Sequence, residues 1–208
     1  GRKQLLSLAA VLALRPRVLL LDEPTSQLDP VAEKNFLHAL FRVNRELGCT
    51  VVVATHQPRP MLEYATCAYR IEDGCVCEVA DIASLGHREE LFSGEVPGWG
   101  ASRRAKNGVF SSAGGCRMLP KMHAGSATTL AGSWFRYDRA SGWVLRGLDA
   151  AFSAGAVHAI VGGNGCGKST MLSVLAKTVK LQRGHMERGA ASAALLPQNP
   201  KALLVAET

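Results

Sequence analysis

Hydrophobic positions along the chain form two patterned stretches separated by one with no pattern. In the first, Lys3 to Leu14 is rich in Leu and Ala and predicts a helix stopped by Pro16, whose ring removes the N–H that a helix needs. Val18 to Leu21 is an uninterrupted apolar run, as expected of a parallel strand buried on both faces. Asp29-Pro30 opens a second helix, with the carboxylate as cap and proline in the first turn. It runs to Leu47 with Phe36, Leu37, Leu40, Phe41 and Leu47 on one face, and Gly48 ends it. Thr50 to Ala54 repeats the buried-strand pattern. Strand, helix, strand at this spacing is a βαβ unit, so residues 1–83 read as compact α/β.

From 84 to 133 no period of 2 or 3.6 survives. "FSGEVPGWGASRRAKNGVFSSAGG" is Gly/Ser-rich and basic, the composition of a largely disordered linker. From 134 the α/β pattern resumes. Glycines punctuate short strands, the last being Val157 to Val161. Lys168 to Val179 predicts a helix with Leu172, Leu175 and Val179 inward, and a short strand near Ala194 to Leu196 leads into "PQNP".

Composition narrows this little. Of 208 residues, 47% are hydrophobic and 20% charged, as in soluble globular proteins. The longest apolar run, Leu5 to Leu14, is too short to cross a bilayer, and no basic-then-apolar leader follows Gly1, so neither a spanning segment nor a signal peptide is expected. Six cysteines (Cys49, Cys67, Cys75, Cys77, Cys116, Cys166) are scattered. The Cys75-x-Cys77 pair has no second pair at zinc spacing, so reduced thiols are expected rather than a metal site. The net charge of +7 raises nucleic acid or anionic lipid as partners. Without aromatic and basic residues interleaved, no nucleic-acid partner is expected.

The candidate chemistry lies in three places. "VGGNGCGKST" contains Gly162-x-x-x-x-Gly167-Lys168-Ser169 between a predicted strand and a predicted helix. Its glycines let successive amides (Gly162, Asn164, Gly165, Cys166, Gly167, Thr170) converge on phosphate oxygens, and the helix aims its positive end at the same anion. Lys168 adds a point charge toward the β and γ phosphates, and the Ser169 hydroxyl suits Mg²⁺. Asp22-Glu23 ends the first apolar strand, at the rim where ligands bind parallel sheets. Asp22 would hold Mg²⁺ through its water shell, and Glu23 would accept a proton from an attacking water. His56 follows the second strand. Alone it reads equally as a packed or surface residue.

Together, "LLLDEPTSQLDP", a helix and "VVVATH" resemble the nucleotide-binding domain of ATP-binding cassette (ABC) transporters. "VLLLDE" resembles the Walker B strand, "SQLD" the D-loop, and His56 the switch histidine that contacts the γ-phosphate. "GRKQ", Gly1 to Gln4, looks like the tail of the signature motif. "GGNGCGKST" resembles Walker A, and Gln198 the Q-loop glutamine that links Mg²⁺ and the attacking water to the membrane partner. Tyr137 in "FRYD" resembles the aromatic that stacks on adenine. Cys166 stands where the family often has alanine or serine, and Gly163 where proline is common.

The resemblance implies a P-loop NTPase fold with ATP and Mg²⁺ as cofactors, but the motif order is reversed. Residues 1–83 resemble the C-terminal half of one cassette, 84–133 a linker, and 134–208 the N-terminal half of a second. In this family each ATP lies between Walker A of one cassette and the signature of another. On that view the chain carries pieces of two composite sites and completes neither, since the site of Lys168 lacks Walker B carboxylates and the site of Glu23 lacks a phosphate loop. The alternative is that the complementary halves pack as one permuted cassette, which brings Asp22 and Glu23 to Lys168 and buries two half-sheet edges. "EPTSQLDP" with "LLPQNP" resembles energy-coupling-factor importers. That implies a peripheral ATPase at the cytoplasmic face of the cell membrane, with an embedded coupling protein, a substrate-binding subunit and a second cassette as partners. A soluble tandem ABC protein of translation-factor type and a truncated nucleotide-binding fragment without turnover are the other readings.

Overall fold

The computed structural model describes residues 2–86, 126–188 and 192–198 of the chain. In chain order these form α1 (Arg2–Ala13), β1 (Val18–Asp22), α2 (Pro30–Leu47), β2 (Thr50–Thr55), β3 (Cys67–Glu72), β4 (Cys75–Glu78), β5 (Ser126–Phe135), β6 (Leu145–Ser153), β7 (Val157–Val161), α3 (Lys168–Leu175), β8 (Arg183–Arg188) and β9 (Ala193–Leu196). Helix α2 starts as its sequence dictates. The Asp29 side chain accepts from the amides of Val31 and Ala32, and Gly48 closes the helix in the left-handed region at φ 62°.

A six-stranded sheet runs β4-β3-β7-β2-β1-β9, and β5 lies between β6 and β8 in a second, antiparallel sheet. Only β3 and β4 pair antiparallel in the larger sheet. Strand β7 is inserted between β2 and β3, and β9 pairs with β1, so strands from residues 1–83 and from 134–208 alternate in one sheet. This arrangement corrects the expectation of two incomplete sites and matches the permuted alternative. Alternation along each strand sends neighbouring residues to opposite faces. Leu19, Leu21, Val51 and Val53 pack under α1 and α2 against Leu8, Val11, Phe36 and Leu40. Leu20, Val52 and Ile160 pack on the other face against Met171 and Leu172 of α3 and against Leu145, Leu148 and Phe152 of the second sheet.

Several expected boundaries change. Strand β5 begins at Ser126, inside the stretch read as linker, and residues 87–125 of that stretch lie outside the described residues, as do Gly1, Cys116 and 199–208. Leu47 is exposed, not inward. Helix α3 stops at Leu175, and Lys177 at φ 62° turns the chain away. Val179 lies beyond the helix yet still packs on the core. The hairpin β3–β4 was not anticipated; its turn, Asp73-Gly74, has both residues at positive φ.

Candidate functional site

Three adjacent parallel strands end at one edge, and the site is built there. Asp22 of β1 pairs with Ala54 of β2, and Thr55 of β2 with Val161 of β7. Glu23, His56 and the 162–167 loop therefore leave the sheet side by side, at the carboxyl ends where α/β sheets bind ligands. The loop turns tightly because its glycines allow it. A Cβ on Gly162 would stand 2.6 Å from the Ile71 carbonyl oxygen, and Gly167 sits at φ 110° before the first turn of α3. Lys168 is buried, and its Nζ donates to the carbonyls of Gly162 (2.9 Å) and Gly163 (3.0 Å).

The carboxylate arm meets this loop. Glu23 is a non-glycine residue in the left-handed region at φ 46°, held by its amide donating to the Ala54 carbonyl at 2.9 Å. Its side chain is buried. Oε1 lies 3.5 Å from Lys168 Nζ, while Oε2 meets His56 Nδ1 at 2.8 Å and the His56 amide at 3.4 Å. The Thr55 hydroxyl accepts from the Gln57 amide at 3.0 Å, which fixes the turn that carries His56. Tyr137, on the loop between β5 and β6, is exposed. Its hydroxyl lies 3.0 Å from Thr170 Oγ1 and its ring meets Phe135 edge-on. These groups surround a cleft of about 440 Å³, lined by Glu23, His56, Tyr137, Val144, Asn164, Gly165, Gly167, Lys168, Ser169, Thr170 and Gln198.

A family model described as "ABC transporter" matches residues 145–202, and one described as "AAA domain, putative AbiEii toxin, Type IV TA system" matches residues 1–59. A "Putative ABC transporter ATP-binding protein" of Bacillus thuringiensis is 34% identical over 207 residues, covering 90% of this chain and 38% of the relative. The chain belongs to the ABC transporter ATP-binding protein family. A "Putative HMP/thiamine import ATP-binding protein YkoD" of Bacillus subtilis is 30% identical, over 89% of this chain and 37% of the relative. An "Energy-coupling factor transporter ATP-binding protein EcfA2" of Latilactobacillus sakei is 36% identical, over 50% of this chain and 33% of the relative. The chain thus spans less than two-fifths of the length of these relatives.

In this ABC chain the structure gathers most of the residues singled out from sequence. Gly162 and Cys166 line instead an adjoining groove of about 510 Å³, beside the β3–β4 hairpin. Burial pushes the Cys166 thiol up from its ordinary value, so it stays protonated and packs as a small apolar group. Asp22 lies beneath the cleft. Burial raises its carboxyl, a hydrogen bond from Ser169 works against that, the Glu23 charge raises it further and the Lys168 charge lowers it. Its Oδ1 is buried with no hydrogen-bond partner. An orphaned carboxylate oxygen beside the Ser169 hydroxyl is the hard-oxygen environment that Mg²⁺ takes, so the residues fit that ion. Gln198 is exposed at the cleft wall. Sequence reasoning missed Val144 and Thr55. An isolated valine between a tryptophan and a leucine carries no signal for a wall position. Thr55 fell one residue past the run read as a strand, Thr50 to Ala54.

Proposed function

We propose that the cleft binds ATP with Mg²⁺ and hydrolyses it, and that hydrolysis powers solute import as the ATPase component of an energy-coupling-factor type of transporter. One observation carries the reading: Lys168 Nζ and Glu23 Oε1 are 3.5 Å apart at the mouth of a glycine loop, with His56 on the other carboxylate oxygen. Phosphoryl transfer asks mainly for positioning and charge neutralisation, and this triad offers a cation, a base and a donor in one place. The 162–167 amides and Lys168 hold the β and γ phosphates, and Tyr137 stacks on adenine. Glu23 takes the proton of the attacking water, and His56 donates to the γ-phosphate. Asp22, Ser169 and Gln198 hold Mg²⁺, which when bound neutralises charge that develops on the phosphates.

The same reading assigns residues 1–83 to the C-terminal half of one cassette and 134–208 to the N-terminal half of the next. The alignment of nearly the whole chain, in order, to under two-fifths of a longer relative supports this tandem origin. The import and energy-coupling names among the relatives support an importer that works with membrane-embedded coupling and substrate-binding subunits and a second cassette. The same reading puts the chain peripherally on the cytoplasmic face; among the described residues no helix is long and apolar enough to cross a membrane. Lys168→Ala tests the site directly. Affinity for a non-hydrolysable ATP analogue should fall by two orders of magnitude or more, and unchanged affinity would show that nucleotide binds elsewhere.

A further inference from the structure

Phosphate binding alone gives no role to one contact in the cleft, the pairing of the Tyr137 and Thr170 hydroxyls at 3.0 Å. Thr170 is the third residue of α3 and only 5% exposed, so its hydroxyl is a fixed point at the rim of the phosphate cradle. Tyr137 is the opposite kind of residue. It is 66% exposed, on the loop joining β5 and β6, where Asp138 and Ser141 form a short turn. Its ring has an edge contact with Phe135, centroids 5.0 Å apart, and Phe135 is itself anchored by accepting from the Val144 amide. A single hydrogen bond to a buried partner therefore ties an exposed ring in the cleft wall to the start of α3.

We propose that this bond is a latch. In the free protein it holds the Tyr137 ring across the path from solvent to the cradle, and nucleotide enters by breaking it. The inference rests on the reading of the cleft as a nucleotide site. A base that stacks on the face of Tyr137 needs the ring turned to it, while phosphates in the cradle need the Thr170 rim clear. The latched ring satisfies neither, so the bond and the bound nucleotide exclude each other. The free state is favoured by whatever the bond is worth, and apparent affinity is lowered by that factor. A neutral hydroxyl pair at a partly exposed site corresponds to about two- to tenfold.

Tyr137→Phe keeps the ring and removes the latch. Titration with a fluorescent ATP analogue should show the variant binding about two- to tenfold more tightly than wild type, with faster association. Binding with equal or weaker affinity in the variant overturns the latch alone. Absence of binding by both proteins overturns the nucleotide reading, and the latch with it. A second measurement needs no nucleotide. The chain has three tyrosines, so nitration by tetranitromethane can be mapped to each. Thr170→Val should speed nitration of Tyr137 several-fold while leaving Tyr64 unchanged. Equal rates at Tyr137 in the two proteins would show that no bond restrains it.

Discussion

Glu23 joins three elements at one carboxylate: the strained end of β1, the turn carrying His56, and the phosphate-loop lysine. Glu23→Gln keeps the volume and an oxygen for His56 but removes the charge and the proton acceptor. On the proposed chemistry, phosphate release should fall by at least about two orders of magnitude while analogue binding persists. Unimpaired turnover would move the base elsewhere. His158 of β7 makes a separate prediction, about stability. It is fully buried, parallel to the Tyr69 ring and edge-on to Phe152, and its Nε2 accepts from the Ser153 amide at 3.0 Å. Its proton then sits on Nδ1, which has no partner. Burial pushes its pKa down to about 4, against about 6.5 in an unfolded chain. The unfolded state therefore binds the proton more readily. Stability is whole above about pH 6.5 and is lost as pH falls toward 4, by about 3 kcal/mol from this residue. Urea midpoints for wild type and His158→Gln should diverge in slope across that window. Parallel slopes would clear His158 of any role in acid sensitivity.

The β3–β4 hairpin is the support behind the phosphate loop. The Ile71 carbonyl stands where a Cβ on Gly162 would go, and the Gly74 carbonyl accepts from the Arg146 amide at 2.8 Å, tying the hairpin to β6. Gly162→Ala must push strand and loop apart. A loss of about 1–3 kcal/mol in thermal or urea stability is expected, together with weaker analogue binding. A variant as stable as wild type would mean that the backbone yields freely there. The same region shows how far the sequence could be read. Strands β1 and β2 were legible because both faces are buried and their apolar runs are unbroken, and α2 because Asp29-Pro30 and Gly48 mark its ends. The hairpin carried its signal in Asp73-Gly74, but alternating Cys, Arg and Glu around it hid the strands. Strand β5 was hidden differently. Its inward positions include Thr128 and Ser133, small polar residues that are buried here, so its start looked like linker. The loop lysine and Glu23 were named from sequence, but their proximity followed only from the permuted alternative, because only strand pairing across the two segments creates it.

At the scale of the whole molecule, the two segments are held by strand ladders and a shared core rather than by chain continuity alone. Val51 to Thr55 pairs with Val157 to Val161, Val18 to Leu21 with Ala193 to Leu196, and Leu20 and Val52 share a core with Met171 and Leu172. A protease site engineered between residues 87 and 125 and then cut should leave two pieces that elute together and still bind an ATP analogue. Separation of the pieces under native conditions would show that chain continuity, and not the sheet, joins them. The insertion of β7 between β2 and β3 also imposes an order on assembly. On the ribosome, β2 and β3 emerge next to one another but cannot become sheet neighbours, because the place between them belongs to a strand some hundred residues downstream. At a synthesis rate of roughly 5–20 residues per second, the early strands wait several seconds with open edges. Their apolar runs are then attractive to any other nascent chain, so a holdase that covers residues 2–86 as they emerge should raise the yield of native protein more than one acting after release.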